Sequence, residues 1–134
     1  MSTEQTRQLI EDYYAAAATG DRDKLAEMLT EDVVWTPAET VPIKAQQGRR
    51  VVSSIVSGRG RENMFDMDTF SLTVHRKVVD GDTAIVLQAI SAKTVKGNQY
   101  DNEYCWVYTC RDGQIAAITE YVDTLKASRV LGWS

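Results

Sequence analysis

The chain has 134 residues, 43% of them hydrophobic and 25% charged, with a net charge of −4. A length of this order lets a single domain bury roughly two-thirds of its unfolded surface, and the balance excludes both a disordered segment and a disulfide-stapled mini-fold. An acidic whole disfavours a nucleic-acid partner: Lys44, Arg49, Arg50, Arg59 and Arg61 make a local basic stretch, but few aromatics accompany it, and a solvated face is the simpler reading.

Met1 to Gln5 lack the basic and apolar regions of a secretory signal, and no later run approaches the ~18 apolar residues of a membrane span, so the expected location is cytoplasmic. Leu9, Ile10, Tyr13, Tyr14 and Ala17 recur at helical spacing, which predicts an amphipathic helix over about Thr3 to Thr19, stopped by Gly20. Asp21 caps a second, short helix with Leu25, Met28 and Leu29 on its buried side. Val33 to Thr36 reads as a strand ended by Pro37, and the aperiodic stretch to Gly48 as a loop over apolar surface. Val51, Val52, Ile55 and Val56 predict a third helix from Arg49 to Ser57. Gly58-Arg59-Gly60-Arg61 ends it, without the preceding strand or the spacing of a phosphate loop.

The remainder reads as β-structure. Phe70 to Val79 leads into Asp80-Gly81, a dipeptide suited to two-residue hairpin turns. Strands follow over Thr83 to Val95, Gln99 to Cys110 and Ile115 to Thr124, separated by Lys96-Gly97-Asn98 and Arg111-Asp112-Gly113. Helices followed by an antiparallel meander give an α+β domain spanning 1–134, with about 125–134 as a tail. Cys105 and Cys110 fall in one strand about 16 Å apart, too far for a disulfide, and read as reduced packing residues.

Alternation along the last strands puts Asn102, Tyr104, Trp106 and Tyr108 in one row and Glu103, Cys105, Val107 and Thr109 in the other; beyond the turn, Ala116, Ile118, Glu120 and Val122 share a row. Glu120 is a carboxylate in an apolar row. Lost hydration raises such a group toward the range useful for proton transfer near neutral pH. Should Glu103 stand beside it, the two carboxyls would share a proton; otherwise Glu120 pairs with Lys93 or Arg76. Tyr13 and Tyr14 are core aromatics or pocket donors, since a buried hydroxyl requires a partner. Trp35 suits a pocket wall. Glu39 either swings over a pocket mouth or stays solvated. His75, the single histidine, cannot define a metal site, and no cofactor fingerprint occurs, so neither metal nor cofactor is expected.

The order of elements, with Tyr13-(x6)-Gly20-Asp21, Glu31-Asp32-Val33-Val34-Trp35 and the terminal Tyr-x-Trp, Asp-Gly-x-Ile and Glu-Tyr-x-Asp-Thr series, resembles the SnoaL-like branch of the nuclear transport factor 2 superfamily. The resemblance implies a cone-shaped α+β roll, three N-terminal helices packed in a strongly curved, mostly antiparallel sheet, with a ligand pocket at its open end and a homodimer on the opposite sheet face. Members include ketosteroid isomerases, limonene epoxide hydrolases, polyketide cyclases and proteins without catalysis. By this resemblance Tyr13 matches the tyrosine of the isomerase oxyanion hole, while the isomerase base falls on Pro37 and its protonated aspartate on Cys105. The hydrolase's water-binding tyrosine falls on Trp35, its arginine and first aspartate on Leu87 and Ala89, and only its last carboxylate is matched, by Glu120. The alignments imply that Glu103, Cys105, Val107, Ala116, Ile118, Glu120 and Val122 face the pocket, and that Tyr104, Trp106, Tyr108 and Tyr121 form the dimer surface.

The resulting expectation is a cofactor-independent acid/base enzyme of isomerase, cyclase, dehydratase or hydrolase type. Its ligand would be apolar and oxygenated, of polyketide, terpenoid or steroid kind. Glu120, Tyr13 and Glu103 would carry the chemistry, and Trp35, Tyr14, Glu39, Met64, Cys105, Val107 and Ile118 would line the site. The alternative is a binding or dimerisation module with its cavity plugged by Phe65, Phe70 or Trp133.

Overall fold

The computed structural model describes residues 1–58 and 60–133; Arg59, in the basic stretch, and the terminal Ser134 lie outside the described residues. Helix α1 (Thr3–Thr19) starts in a reciprocal cap, where the Ser2 hydroxyl accepts from the Gln5 amide and the Gln5 side chain accepts from the Ser2 amide. Gly20 ends it in the left-handed region at φ 71°. Its buried stripe is Leu9, Ile10, Tyr13 and Ala16, one position off the expected Ala17. Asp21 caps α2 (Arg22–Glu27) through the Lys24 amide.

Met28 and Leu29 do not extend α2. Leu29 instead opens strand β1 (Leu29–Thr36), because the Met28 carbonyl accepts from Ile115 and the Gln114 side chain donates to the carbonyls of Glu27 and Leu29. Within the expected loop a short strand β2 (Gln46–Gln47) pairs with β1, followed by α3 (Arg49–Val56) and a 3-10 turn at Arg61–Asn63. The long strands are β3 (Phe65–Asp80), β4 (Thr83–Thr94), β5 (Gln99–Arg111) and β6 (Gln114–Val122). Strand β3 begins at Phe65, ahead of the expected Phe70, because Phe65 and Asp66 pair with Thr94 and Lys93. The expected tail is a helix, α4 (Thr124–Leu131), capped by Asp123 and ended by Gly132.

The sheet order is β2-β1-β6-β5-β4-β3, antiparallel throughout except where β1 lies parallel to β6. Register shifts in β3/β4, β5/β6 and β1/β6 bend the strands, as bulges do, so that the sheet wraps the helices. Strict alternation along β4 buries Ala84, Val86, Gln88, Ile90, Ala92 and Thr94 on the inner face. The main core joins Leu9, Ile10, Tyr13, Leu25, Val33, Trp35, Val52, Ile115 and Ile118; a smaller one joins Phe65, Ile90, Tyr100 and Ala127 under α4.

Candidate active site

The face presented by β5 is decided by one residue of register. Asp112 and Gly113 make the two-residue β5–β6 turn at φ 52° and 82°, setting Arg111 opposite Gln114 and Cys110 opposite Ile115. Continued unbroken, that register would place Cys105 opposite Glu120. It breaks: Thr109 pairs with Ala117, Ala116 is left over as a bulge, and Trp106 faces Glu120 while Tyr108 faces Ile118. Glu120 and Ile118 therefore share the inner face with Tyr104, Trp106 and Tyr108.

This corrects the expected placement of the other row. Glu103, Cys105 and Val107 lie on the outer face, where the Glu103 side chain is 73% exposed and bonds His75 at 3.2 Å. Glu103 is not beside Glu120, so the two share no proton. Nor can Tyr104, Trp106 and Tyr108 form a subunit surface, since Tyr108 is only 3% exposed and Trp106 packs on the core; only Tyr121 of that set is exposed.

Between α1, the end of α3 and the inner sheet face lies a cavity of about 350 Å³, lined by Tyr13, Tyr14, Phe70, Gln88, Trp106 and Tyr108 among others, with Arg61 at its wall. That volume falls at the lower end of the range for small-molecule sites. Three tyrosines meet edge to face, Tyr13 at 5.6 Å from both Tyr14 and Tyr108 between ring centres. Tyr14 donates to Gln88 Oε1 at 3.0 Å, so its 2.8 Å contact with Tyr108 uses the Tyr108 proton. That chain is internally satisfied. The Tyr13 hydroxyl, by contrast, bonds to no described residue, and burial pushes its pKa up, so it remains a neutral donor.

Glu120 is half-buried, and desolvation raises its pKa to about 7 against the pull of the nearby Arg61 cation. It forms no ion pair with Lys93, Arg76 or any other described residue. Arg61 reaches back across Gly58 and stands over the Phe70 ring at 5.1 Å. Burial lowers its pKa, opposed by Tyr104, Tyr13 and Glu120.

The other expected lining residues are scattered. Trp35, 4% exposed, and Ile118 belong to the core behind the cavity. Glu39 borders a separate surface hollow with Pro37, Val41 and Pro42; Met64 lies against the end of α4; Cys105 sits in an outer-face hollow with His75 and Tyr121. Phe65 and Trp133 pack in the small core under α4, and Phe70 lines the cavity without filling it. Arg61, Gln88, Trp106 and Tyr108 line the cavity in addition to the expected Tyr13 and Tyr14. Gln88 carried a signal, a polar side chain at a buried position of alternating β4, whereas Arg61 carried none beyond its place in a basic stretch. Among the described residues no helix is long and apolar enough to cross a membrane, and no three His, Cys, Asp or Glu side chains cluster as metal ligands would.

The chain belongs to the SnoaL-like domain family, whose model matches residues 10–118. An NTF2-like protein from Burkholderia thailandensis superposes with a TM-score of 0.82 at 19% identity, covering 97% of this chain and 98% of that one. A protein from Jannaschia assigned as a SnoaL-like polyketide cyclase gives 0.80 at 15% identity, with 98% and 94% covered. An LEH-like epoxide hydrolase from M. tuberculosis gives 0.70 at 20% identity, with 98% and 92% covered. No curated protein matches the chain by sequence. Likeness at these identities defines the fold, a cone shared by isomerases, cyclases and hydrolases.

Proposed function

We propose that the protein binds a largely apolar, oxygenated small molecule in the cone and performs cofactor-independent acid/base chemistry on it. Glu120 carries the proton and Tyr13 donates a hydrogen bond to the ligand oxygen on which charge develops. The observation that supports this most directly is Glu120 itself, an unpaired carboxyl on the inner sheet face whose pKa of about 7 lets it both accept and return a proton near neutrality. Glu120 does not itself line the cavity; its cross-strand neighbour Trp106 does, and the reading requires the ligand to extend past Trp106 to the carboxyl. Tyr14, held by Gln88 and Tyr108, fixes the aromatic wall and leaves Tyr13 free to act. Glu103 has no part in this reading.

The outer sheet face, with Leu87, Cys105, Val107 and the exposed Tyr121, is the proposed homodimer surface in place of the tyrosine row; sedimentation of the purified protein as a monomer contradicts that element alone. The chemistry is tested by proton exchange into aryl ketones with acidic α-hydrogens, followed by NMR in D2O. Wild type is expected to exchange them with a rate that rises through about pH 7, and E120Q to be slower by about 10²-fold or more. Equal exchange by E120Q, or none by wild type with a ketone shown to bind, refutes the catalytic role and favours a binding module.

A further inference from the structure

Among the described residues lining the cavity, Arg61 alone bears a full charge. Its guanidinium has five donors in a fixed fork, yet it makes no ion pair and no hydrogen bond to any described residue. Instead it rests on the Phe70 ring and against Gly58, whose φ of 77° and missing Cβ leave room for it; a Cβ there would meet Arg61 Nη1 at 2.8 Å. Holding a partly desolvated cation without an anion is unfavourable, and such an arginine suits the recognition of a carboxylate. The titratable groups around it are Tyr13 on α1, Tyr104 on β5 and Glu120 on β6. Both phenols are neutral, and Glu120, the one carboxyl among these groups, forms no ion pair with the guanidinium. Lys77, over the Tyr14 ring, is tied to Glu11 at 2.9 Å, so the Glu11 carboxylate is already engaged. A second donor waits on the same wall: the Trp106 indole N–H is buried with no partner among the described residues.

We propose that the ligand of this cavity carries an anionic oxygen, a carboxylate on a small aromatic or alicyclic body, and that Arg61 binds it. The inference deepens the acid/base reading by naming the ligand class of the same pocket. Tyr13, Tyr14, Phe70, Trp106 and Tyr108 pack the ring body, and the guanidinium takes the carboxylate through charge-assisted hydrogen bonds.

The test compares binding of 2-naphthoate, its neutral amide and acetate by calorimetry to wild type, R61M, R61K and E120Q. Wild type is expected to hold the naphthoate about 10- to 100-fold more tightly than the amide, as a charge-assisted pair gives, and acetate weakly because the body is missing. R61M brings the ratio of naphthoate to amide close to one while still binding the amide; R61K, which keeps the charge without the fork, falls between and guards against a folding defect in R61M. A ratio near one in wild type, an undiminished ratio in R61M and R61K, or no binding of either naphthyl compound overturns the proposal. Wild type separates the two readings: charge selectivity without ketone exchange sinks the proton role of Glu120 alone, and exchange without selectivity sinks the anion site alone. E120Q is expected to keep the naphthoate preference, and its loss there, with R61M unaffected, overturns the assignment to Arg61.

Discussion

Replacing Glu120 by glutamine keeps the shape of the side chain and removes its proton equilibrium. In the folded protein this carboxyl titrates at about 7, against an ordinary value of 4.5, because the inner face of the sheet withholds the water its charge needs. At about 1.36 kcal/mol per pH unit, that interval sets an ionisation penalty on the order of 3 kcal/mol. Partial exposure discounts it, and the expected effect is about 1–3 kcal/mol. The sign follows from which state releases its proton first. Below pH 4.5 both folded and unfolded chains are protonated at this site and wild type is at its full stability; between there and about 7 the unfolded chain ionises first and wild type weakens. E120Q should therefore match wild type near the lower value and exceed it by about 1–3 kcal/mol at about pH 8. Urea unfolding across that interval, with equal m-values, measures the difference. A gap that does not widen with pH, or one that widens in favour of wild type, refutes the reasoning, since it would mean that the carboxylate is solvated or paired.

Three further outcomes follow from the same geometry. Y14F removes the donor to Gln88 and the acceptor of Tyr108; Gln88 is 3% exposed, so its amide oxygen is left buried and unpaired, and denaturant titration should show a loss of about 1–3 kcal/mol. G58A forces a side chain into a left-handed position already occupied by the Arg61 guanidinium, and should both lower stability by about 1–2 kcal/mol and weaken naphthoate binding in the same protein. E103Q touches an exposed contact with His75 and should change stability by less than about 1 kcal/mol while ketone exchange stays at the wild-type rate; a large drop in that rate would return Glu103 to the site.

The architecture was legible because its signals are local. Gly20 stops the first helix and Asp21 caps the second where their chemistry predicts, and Asp112-Gly113 turns the last hairpin. The inward direction of Ile118 and Glu120 was readable from the apolar row they share. What alternation could not supply was the partner row. The turn alone places Cys105 opposite Glu120, and a single unpaired residue, Ala116, exchanges the two faces of β5. Helix α4 leaves little trace in the sequence because its apolar stripe is short and its buried contact is Ala127, a residue with little hydrophobic signal. Arg61 was hidden for a different reason: a basic residue in a Gly-rich stretch reads as solvated, and only the fold shows that Gly58 lets it turn inward.

The most direct test of the account is the titration of the Glu120 side-chain carboxyl by 13C NMR, assigned by the signal that E120Q lacks. The account predicts a midpoint of about 7, well above the ordinary carboxyl value of 4.5. A midpoint near 4.5 would contradict it, and with it the idea that the inner sheet face holds this carboxyl poised to exchange a proton near neutrality.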